Sequence, residues 1–260
     1  MALATEFRST IAPLKDPLEP VGPDGRIGLV AIATDFNSET ELRRLTPSGV
    51  EIFTSRILNA NPVTIPNLKA MAGDIPRAAA TILNGHPLDA MIYGCTTGTA
   101  AIGAGEIRRL IHQARPGIPV TDPITAVRVG CRALGVRRLS LLTPYIQSVN
   151  DALAGTLIEA GLDVLNVTGF GLDDDAAITG VPAAAILEAA PQALDPAAEA
   201  LFISCTGLRI ATILSELERR LDRPVLASNQ ALLWHALRLI GYDRVVPDAG
   251  RLFTLAPAPL

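Results

Sequence analysis

The sequence predicts an α/β fold made of two related lobes, each with a short parallel sheet flanked by helices. From Ile27 onward, short aliphatic runs alternate with helix-patterned stretches, as in repeated strand and helix units. One stretch that ends in Cys-Thr recurs in the second half of the chain. Hydrophobic residues make up 49% of the chain but aromatic residues only 4%, so aliphatic side chains build the interior, as in helix-covered sheets.

Eight segments are predicted to be strands because they are rich in β-branched or aliphatic residues. In chain order they are residues 27–33, 50–57, 89–94, 119–122, 139–144, 163–171, 199–204 and 224–229. Helices are expected between them, where apolar residues recur at helical spacing. The clearest are residues 65–85, 105–114, 148–162, 211–221 and 229–241.

An internal repeat relates the two halves of the chain. The segment DAMIYGCTT at residues 89–97 aligns without gaps on EALFISCTG at residues 199–207. A similar offset places residues 27–33 over residues 139–145. Each half therefore has the same order of strands and helices, which predicts two equivalent lobes related by a pseudo-twofold axis.

The predicted domain boundaries follow from this repeat. The helix after Ser228 and the tail lie beyond the second repeat, and we expect them to pack back against the first lobe. The chain then divides into a Pro-rich N-terminal extension at residues 1–26, a first lobe of residues 27–125 plus 231–260, and a second lobe of residues 126–230.

Composition and charge narrow the range of partners. The chain has 22 Lys and Arg residues and 26 Asp and Glu residues, which gives a formal net charge of -4. Proteins that bind nucleic acid usually carry excess positive charge, so this charge argues against such a partner. Apolar runs stay well short of the roughly 18 residues that cross a bilayer, and no signal-peptide core precedes residue 26. Three cysteines are too few for a disulfide scaffold. We therefore expect a cytoplasmic protein that binds neither nucleic acid nor membrane.

Cys95 and Cys205 are the candidate catalytic residues. Each follows one of the two equivalent strands of the repeat, and the carboxyl ends of parallel strands open into the ligand crevice. Helix amides at these positions would stabilise a thiolate and lower its pKa. Two facing cysteines could act on opposite faces of one carbon. One could remove a proton while the other donates one, or one could add to the carbon while the other stabilises the adduct. The alternative is that each cysteine is a small buried hydrophobic residue.

Polar residues near the same strand ends are candidates for substrate contacts. Asp35, Asn37 and Ser38 follow the first strand, where their side chains either face the crevice or cap a helix. Tyr145 ends the equivalent strand of the second lobe and either donates to a substrate carboxylate or is buried with a local partner. The predicted substrate contacts are Asp35, Asn37, Thr96, Thr97, Tyr145, Thr206 and Gly207.

Other motifs have competing structural interpretations. Residues 169–175, GFGLDDD, form either a ligand loop or a solvated turn, and Ser228 and Asn229 are expected to cap the last helix. Cys131 repeats nothing and is expected to pack in the core. The three histidines have no metal-ligand spacing, so no metal site is predicted. The glycines match no phosphate-binding pattern.

A resemblance to a known family rests on four segments, which are YGCTTGTA, ALGVRRLSLLTPYIQSVN, LFISCTGLR and ASNQALLWHALRL. From Ile27 to about Gly241, the chain resembles the aspartate/glutamate racemase superfamily. Within it, the chain is similar to the branch of maleate cis-trans isomerase and arylmalonate decarboxylase. The resemblance implies a cofactor-independent enzyme with two Rossmann-like lobes and its active site in the cleft between them.

Within this superfamily the resemblance favours maleate isomerase. Glutamate racemases typically carry His after the second Cys-Thr, where this chain has Gly207, and arylmalonate decarboxylases keep only the second cysteine. In maleate isomerases the first cysteine adds to the double bond, the adduct rotates, and elimination gives fumarate. The resemblance thus implies Cys95 as the nucleophile, Cys205 as the group that handles the proton, and Tyr145 as a carboxylate ligand.

One position departs from the maleate isomerase pattern. Those enzymes have Asn in a Pro-Ser-Ser-Asn segment after the first strand, where this chain has Asp35, with Asn37 two residues later. An anionic Asp repels a dicarboxylate unless it is protonated or the substrate presents an ammonium group. The ATDFNSE variant is also similar to the ectoine-utilisation protein A group of ectoine degradation.

The leading expectation is isomerisation of maleate to fumarate by a homo-oligomer, a dimer or tetramer, without cofactor or metal. The first alternative is a racemase or epimerase of an amino acid or ectoine-derived derivative, which would transfer protons between the two cysteines. The others are a decarboxylase of the arylmalonate type and a non-catalytic carboxylate-binding protein. Replacing either cysteine separates the two-cysteine enzymes from the binding protein, since only the enzymes would lose turnover.

Overall fold

The computed structural model describes residues 8–255 and contains two parallel sheets of four strands each. The first sheet comprises β1 (Gly25–Ile32), β2 (Val50–Ile57), β3 (Ala90–Tyr93) and β4 (Val120–Thr121). The second comprises β5 (Arg138–Tyr145), β6 (Asp163–Leu172), β7 (Ala200–Ile203) and β8 (Val225–Ala227). All eight predicted strands are present, and the α/β prediction is confirmed.

Helices connect the strands and cover the sheets. They are α1 (Ser38–Leu45), α2 (Ile65–Ala70), α3 (Ile75–Thr81), α4 (Thr96–Ile102), α5 (Ala104–Ala114), α6 (Pro123–Leu134), α7 (Gln147–Glu159), α8 (Asp175–Gly180), α9 (Ala183–Ala193), α10 (Leu214–Leu221) and α11 (Ser228–Leu239). Within residues 8–255, none of the helices combines the length and the apolar character that spanning a membrane requires.

The two sheets have the same topology. The strand order is β2-β1-β3-β4 in the first sheet and β6-β5-β7-β8 in the second. Ile27 of β1 pairs with Ala90 of β3, and Leu139 of β5 pairs with Ala200 of β7. These pairs occupy equivalent positions in the internal repeat, so the predicted two-lobed architecture is confirmed.

The strands that lead to the two cysteines are the most buried of the fold. Every residue of β3 and of β7 is buried. Parallel strands with helices on both faces have nearly continuous apolar sequences, and these two strands read AMIY and ALFI. Core packing therefore fixes the two strand ends from which the pocket residues project.

The helix predicted over residues 65–85 is broken into shorter elements. α2 ends at Ala70, a 3-10 turn occupies Met71–Asp74, and α3 begins at Ile75. Gly73 and Pro76 account for the break, because glycine weakens a helix interior and proline is favoured in a first turn. The break brings Met71 to the lining of the pocket described below.

Helix α11 returns from the second sheet towards the first. It packs against β3, β4 and α1, and also against α6. The 3-10 turn at Arg251–Thr254 packs against α6 and α11, while the Arg251 N–H donates to Glu218 of α10 at 2.9 Å. The tail thus touches elements of both predicted lobes, and the proposed boundaries remain a prediction. Residues 1–7 of the predicted extension and 256–260 of the predicted first lobe lie outside the described residues.

Candidate active site

One pocket collects residues from the carboxyl ends of six strands. They come from β1, β2 and β3 of the first sheet and from β5, β6 and β7 of the second. Parallel sheets bind ligands at this edge. Eight of the nine predicted site residues line the pocket, and Asn37 is the exception.

Cys95 caps helix α4 at the end of β3. Its Sγ accepts the backbone N–H of Gly98 at 3.2 Å and lies 3.7 Å from the hydroxyl oxygen of Thr97. Glycine is needed at position 98, because a Cβ there would lie 2.5 Å from the Tyr93 hydroxyl and 3.0 Å from the Cys95 sulfur. The Cys-Thr-Thr-Gly sequence therefore places the sulfur at a helix N-terminus.

Cys205 has a different backbone setting, because the helix predicted over residues 211–221 begins only after a longer loop and not at the cysteine. Residues 206–213 form turns, and α10 begins only at Leu214. Cys205 has φ of +148°, which residues other than glycine rarely adopt. Its Sγ accepts the backbone N–H of Gly207 at 3.2 Å. A strained backbone beside a pocket is a mark of a functional residue.

Burial keeps both thiols protonated. It raises the pKa of Cys95 to about 11, although the Gly98 N–H and the Thr97 hydroxyl lower it. It raises the pKa of Cys205 to about 12, although the Tyr145 hydroxyl lowers it. The backbone amides lower these pKa values as expected, but the loss of hydration outweighs the hydrogen bonds to sulfur, so the net shift of both pKa values is upward.

The segments that follow β3 and β7 carry Cys95 and Cys205, and we call them the two cysteine loops. Tyr145 lies beside the second loop, and Thr206 connects the two. Tyr145 is only 3% exposed, and its hydroxyl lies beside the Cys205 thiol. Burial raises the pKa of Tyr145 well above its ordinary value, so the hydroxyl is a neutral donor. Thr206 donates its hydroxyl to the carbonyl of Gly94 at 3.2 Å, which joins the ends of β7 and β3. Tyr145 is buried with a local partner and also lines the pocket, and its donation to a substrate carboxylate stays a prediction.

The structure separates the positions of Asp35 and Asn37. Asp35 lines the pocket, and its Oδ1 accepts the backbone N–H groups of Asn37 and Ser38, each at 2.8 Å. The Asn37 side chain turns away, and its Nδ2 donates to the carbonyl oxygens of Thr206 and Leu208 at 3.3 and 3.0 Å. The Asn37 side chain therefore holds the loop after Cys205 in place and does not line the pocket.

Ser228 and Asn229 also form hydrogen bonds that hold the two cysteine loops in place. Ser228 Oγ accepts the backbone N–H of Cys205 at 3.1 Å and the hydroxyl of Thr96 at 3.0 Å. Asn229 Nδ2 donates to the carbonyl of Thr206 at 2.8 Å. The predicted capping role is wrong, because α11 already begins at Ser228 and tertiary partners occupy both side chains.

Glu41 explains the late start of α10. Its Oε2 accepts the backbone N–H groups of Ile210 and Ala211 at 2.9 and 2.7 Å. These amides lie in the turns between Cys205 and α10, so a carboxylate from α1 holds that loop outside a helix. Burial raises the pKa of Glu41 even though both amides lower it. An acidic residue near the start of a helix ordinarily indicates a dipole partner, which is why the sequence did not reveal this contact.

Asp175 brings the end of residues 169–175 to the pocket. Asp175 Oδ2 accepts the hydroxyl of Thr34 at 2.5 Å and the Nδ2 of Asn59 at 3.0 Å. All three residues line the pocket. Asp175 therefore belongs to the pocket, whereas residues 169–172 are part of β6, and a ligand contact of this segment stays a prediction. Thr34 and Asn59 follow β1 and β2 of the first sheet, so nothing in the local sequence of Asp175 indicated them.

Cys131 lies outside this pocket. It is fully buried in α6, and burial raises its pKa to about 12. Leu252 packs against the adjacent Gly130 position. The predicted core-packing role agrees with this burial.

The fold and the pocket define a class of protein: a two-lobed α/β enzyme with two cysteines at equivalent strand ends in one cleft. Residues 104–253, more than half of the chain, match the arylmalonate decarboxylase family. The chain belongs to that family.

Two individual relatives show similarity over 53% and 87% of the chain. The arylmalonate decarboxylase of Bordetella bronchiseptica is 39% identical over 140 residues, which span 53% of this chain and 58% of that enzyme. The maleate isomerase of Nocardia farcinica is 26% identical over 238 residues, which span 87% of this chain and 94% of that enzyme.

A solved structure shows the same fold. It is a mutant of Nocardia farcinica maleate cis-trans isomerase with a covalently bound succinylcysteine intermediate. It matches with a TM-score of 0.79 at 26% identity and covers 88% of this chain and 98% of that one. The resemblance to the maleate isomerase and arylmalonate decarboxylase branch is confirmed.

Proposed function

We propose that this enzyme is a cofactor-independent isomerase of a small carboxylate, and that Cys95 and Cys205 act on opposite sides of the reacting carbons. The observation that supports the proposal is that both cysteines, from equivalent ends of two sheets, line one pocket. Each sulfur is held by a backbone N–H, and the Tyr145 hydroxyl lies beside the second. Such a pair can divide addition and proton transfer between two faces of a substrate.

Isomerisation of maleate to fumarate is the reaction that we propose first. The Nocardia farcinica maleate isomerase matches 87% of the chain, and the succinylcysteine in a structure of that enzyme is the adduct that this reaction requires. Arylmalonate decarboxylase structures match 88% of the chain at 28–30% identity, so the share of the chain that matches does not separate the two reactions. The pair of cysteines in one pocket is what favours the isomerase in our proposal.

The proposed steps begin when Cys95 releases its proton to water and its sulfur forms a bond to one alkene carbon. The other alkene carbon takes a proton from Cys205, which becomes a thiolate. The succinyl adduct then rotates about its C2–C3 bond, which was the double bond of maleate and is now a single bond. Cys205 takes a proton back from the same carbon as the C–S bond breaks, and fumarate leaves. The Cys95 thiolate finally regains a proton from water, so both thiols return to their starting state.

Racemisation or epimerisation of an amino acid, or of an ectoine-derived derivative, is the second candidate. The charge of the pocket favours it: within residues 8–255 the lining includes Asp35 and Asp175 but no Lys, Arg or His. A dianion such as maleate would meet negative charge without a compensating cation. One cysteine would remove the α-proton, and the other would deliver a proton to the opposite face.

Nuclear magnetic resonance of substrate mixtures in deuterated water tests both reactions. Maleate isomerase activity gives fumarate, whereas racemase activity gives amino acids with deuterium at the α-carbon. Cys95→Ser and Cys205→Ser should each abolish turnover, while Cys131→Ala, which changes a cysteine outside the pocket, should retain it. Ligand binding without turnover, unchanged in both serine variants, would instead identify a non-catalytic carboxylate-binding protein.

We also propose that the chain forms a dimer or tetramer. Sedimentation equilibrium should then give two or four times the chain mass of 27.3 kDa. A single species at the mass of one chain contradicts this proposal.

A further inference from the structure

We propose that Asp35 and Asp175 form a binding subsite for a positively charged amino group, which favours the second candidate function, with a small carboxylate that carries an ammonium group as substrate, over the isomerisation of maleate. The inference rests on the proposed two-cysteine function for the place of the reacting carbon. It names the substrate class, because a dicarboxylate without an amino group would leave this subsite without a counter-charge. Both carboxyl groups line the same pocket as Cys95 and Cys205.

Asp35 has a buried oxygen without a partner. The residue is 9% exposed, and its Oδ1 accepts two backbone N–H groups. Its Oδ2, in contrast, has no hydrogen-bond partner among the described residues. A buried polar atom left in this state destabilises the protein, because it has lost its hydration without gaining a hydrogen bond. A ligand that brings an N–H donor and a positive charge removes that cost.

Asp175 brings a second carboxyl group to the same corner of the pocket. Its Oδ2 accepts the Thr34 hydroxyl and the Asn59 amide. These two hydrogen bonds orient the Asp175 carboxyl group through Oδ2. Its other oxygen, Oδ1, accepts no hydrogen bond from the residues that the structure describes. Thr34 directly precedes Asp35 in the chain, so the bond from Thr34 brings Asp175 next to the turn that holds Asp35. The two acids therefore lie together without a bond between them.

The guanidinium of Arg56 approaches this turn but is engaged elsewhere. Its Nη1 donates to the backbone carbonyl oxygens of Ile32, Ala33 and Asp35. Its Nη2 pairs with the carboxylate of Glu39. None of these described bonds reaches the Asp35 carboxylate, so Arg56 orients the backbone of the turn and does not neutralise the pocket.

An organic cation fits the two acids better than a metal ion does. Within the described part of the chain, no group of three or more His, Cys, Asp or Glu side chains has the arrangement of a metal site. Calcium takes 6–8 oxygen ligands and magnesium demands a near-ideal octahedron, and two carboxyl groups supply little of either. An ammonium group offers three N–H donors in different directions, which suits two acceptors on separate elements.

Binding measurements on matched ligand pairs test the inference independently of turnover. The pairs are succinate with L- and D-aspartate, and butanoate with L- and D-2-aminobutanoate, each titrated calorimetrically into the wild-type protein. We expect an amino-bearing member of at least one pair to bind about tenfold more tightly than its partner, because of the added charge attraction. Asp35→Asn and Asp175→Asn should each reduce that preference towards unity.

The chain offers a control and a safeguard against misfolding. Asp173→Asn changes an exposed residue of the same loop and should leave the preference as in wild type. Asn at position 35 keeps the oxygen that accepts the two backbone amides and replaces only the unpartnered one, so the turn should be preserved. Asp175→Asn tests the subsite separately if the other variant does not fold.

Wild-type binding that is equal or weaker for every amino-bearing compound overturns the inference. An unchanged preference in both the Asp35 and Asp175 variants overturns it as well. Failure of the isomerase proposal looks different, because Cys95→Ser and Cys205→Ser would then leave turnover intact or there would be no turnover to lose. A preference that depends on the two acids in a protein without turnover would establish the subsite alone.

Discussion

The hydroxyl oxygen of Ser228 lies 3.1 Å from the backbone nitrogen of Cys205 and accepts its N–H. The same oxygen accepts the Thr96 hydroxyl at 3.0 Å. One fully buried side chain at the start of α11 therefore joins the loop of the second cysteine to the loop of the first. The relative placement of the two cysteine loops depends on a third part of the chain.

Replacement of Ser228 by Ala should weaken both the fold and the reaction. The variant leaves the Cys205 N–H without its acceptor, which costs about 1–3 kcal/mol of unfolding free energy, and it frees the Cys205 loop to shift. Urea unfolding and initial rates measure the two effects. Ser48→Ala, at an exposed turn position, is the control. Equal stability and rate in the two variants would show that the Ser228 contact is not needed.

Alanine at position 98 should displace the Cys95 sulfur. The added Cβ would lie 2.5 Å from the Tyr93 hydroxyl, 2.9 Å from Met71 Cε and 3.0 Å from Cys95 Sγ. Because a displacement of about 1 Å can cost about 100-fold in rate, we expect kcat to fall by about that factor. Gly105→Ala is the matched control, since nothing lies within 4 Å of a Cβ there. A Gly98→Ala enzyme with wild-type kcat contradicts the close fit around Cys95.

Glycine should be better tolerated than alanine at position 205. With φ of +148°, the backbone of Cys205 is strained for any residue with a side chain. We therefore expect Cys205→Gly to be more stable than Cys205→Ala by about 1 kcal/mol, with both variants inactive. Position 95, with φ of -145°, provides the opposite case, and there alanine should be the more stable replacement. Thermal unfolding of the four variants gives the comparison, and the same order at both positions would refute the strain argument.

Alkylation of the two pocket thiols should depend on pH in the alkaline range. The thiolate is the reactive form, and burial raises the pKa of Cys95 to about 11 and that of Cys205 to about 12. Iodoacetamide should therefore modify both slowly at neutral pH and Cys95 first as the pH rises. Tyr145→Phe removes a donor that lowers the Cys205 pKa, so the Cys205 profile should move to still higher pH. Peptide mass spectrometry follows each site, and rapid modification of either thiol at pH 7 would contradict the expectation.

The same shifts make a contribution to stability with a definite sign. Both thiols have a higher pKa in the folded protein than their ordinary value of 9.0. The protonated thiols therefore favour the folded state fully below pH 9.0, and this contribution is lost as pH rises through about 11 and 12.

Much of the fold could be predicted because it depends on local patterns. The strands that end before Cys95 and Cys205 are short aliphatic runs, and burial on both faces of a sheet requires that composition. The repeat placed the two cysteines at equivalent strand ends, and the ends of parallel strands lie at one edge of a sheet. The break between Ala70 and Ile75 differs from the continuous helix predicted over residues 65–85, although Gly73 and Pro76 mark it in the sequence.

The sequence by itself determined the two sheets, their repeat and the two cysteines that face the cleft, because each depends on neighbouring residues and on strand direction. The tertiary structure alone decided that Asp175 joins the pocket, that Ser228 holds the Cys205 loop and that Asn37 turns away. These contacts join residues that are far apart in the chain and leave no local pattern. Only the structure decided the protonation of the two thiols as well, since the depth of burial outweighs the backbone amides that the sequence could place.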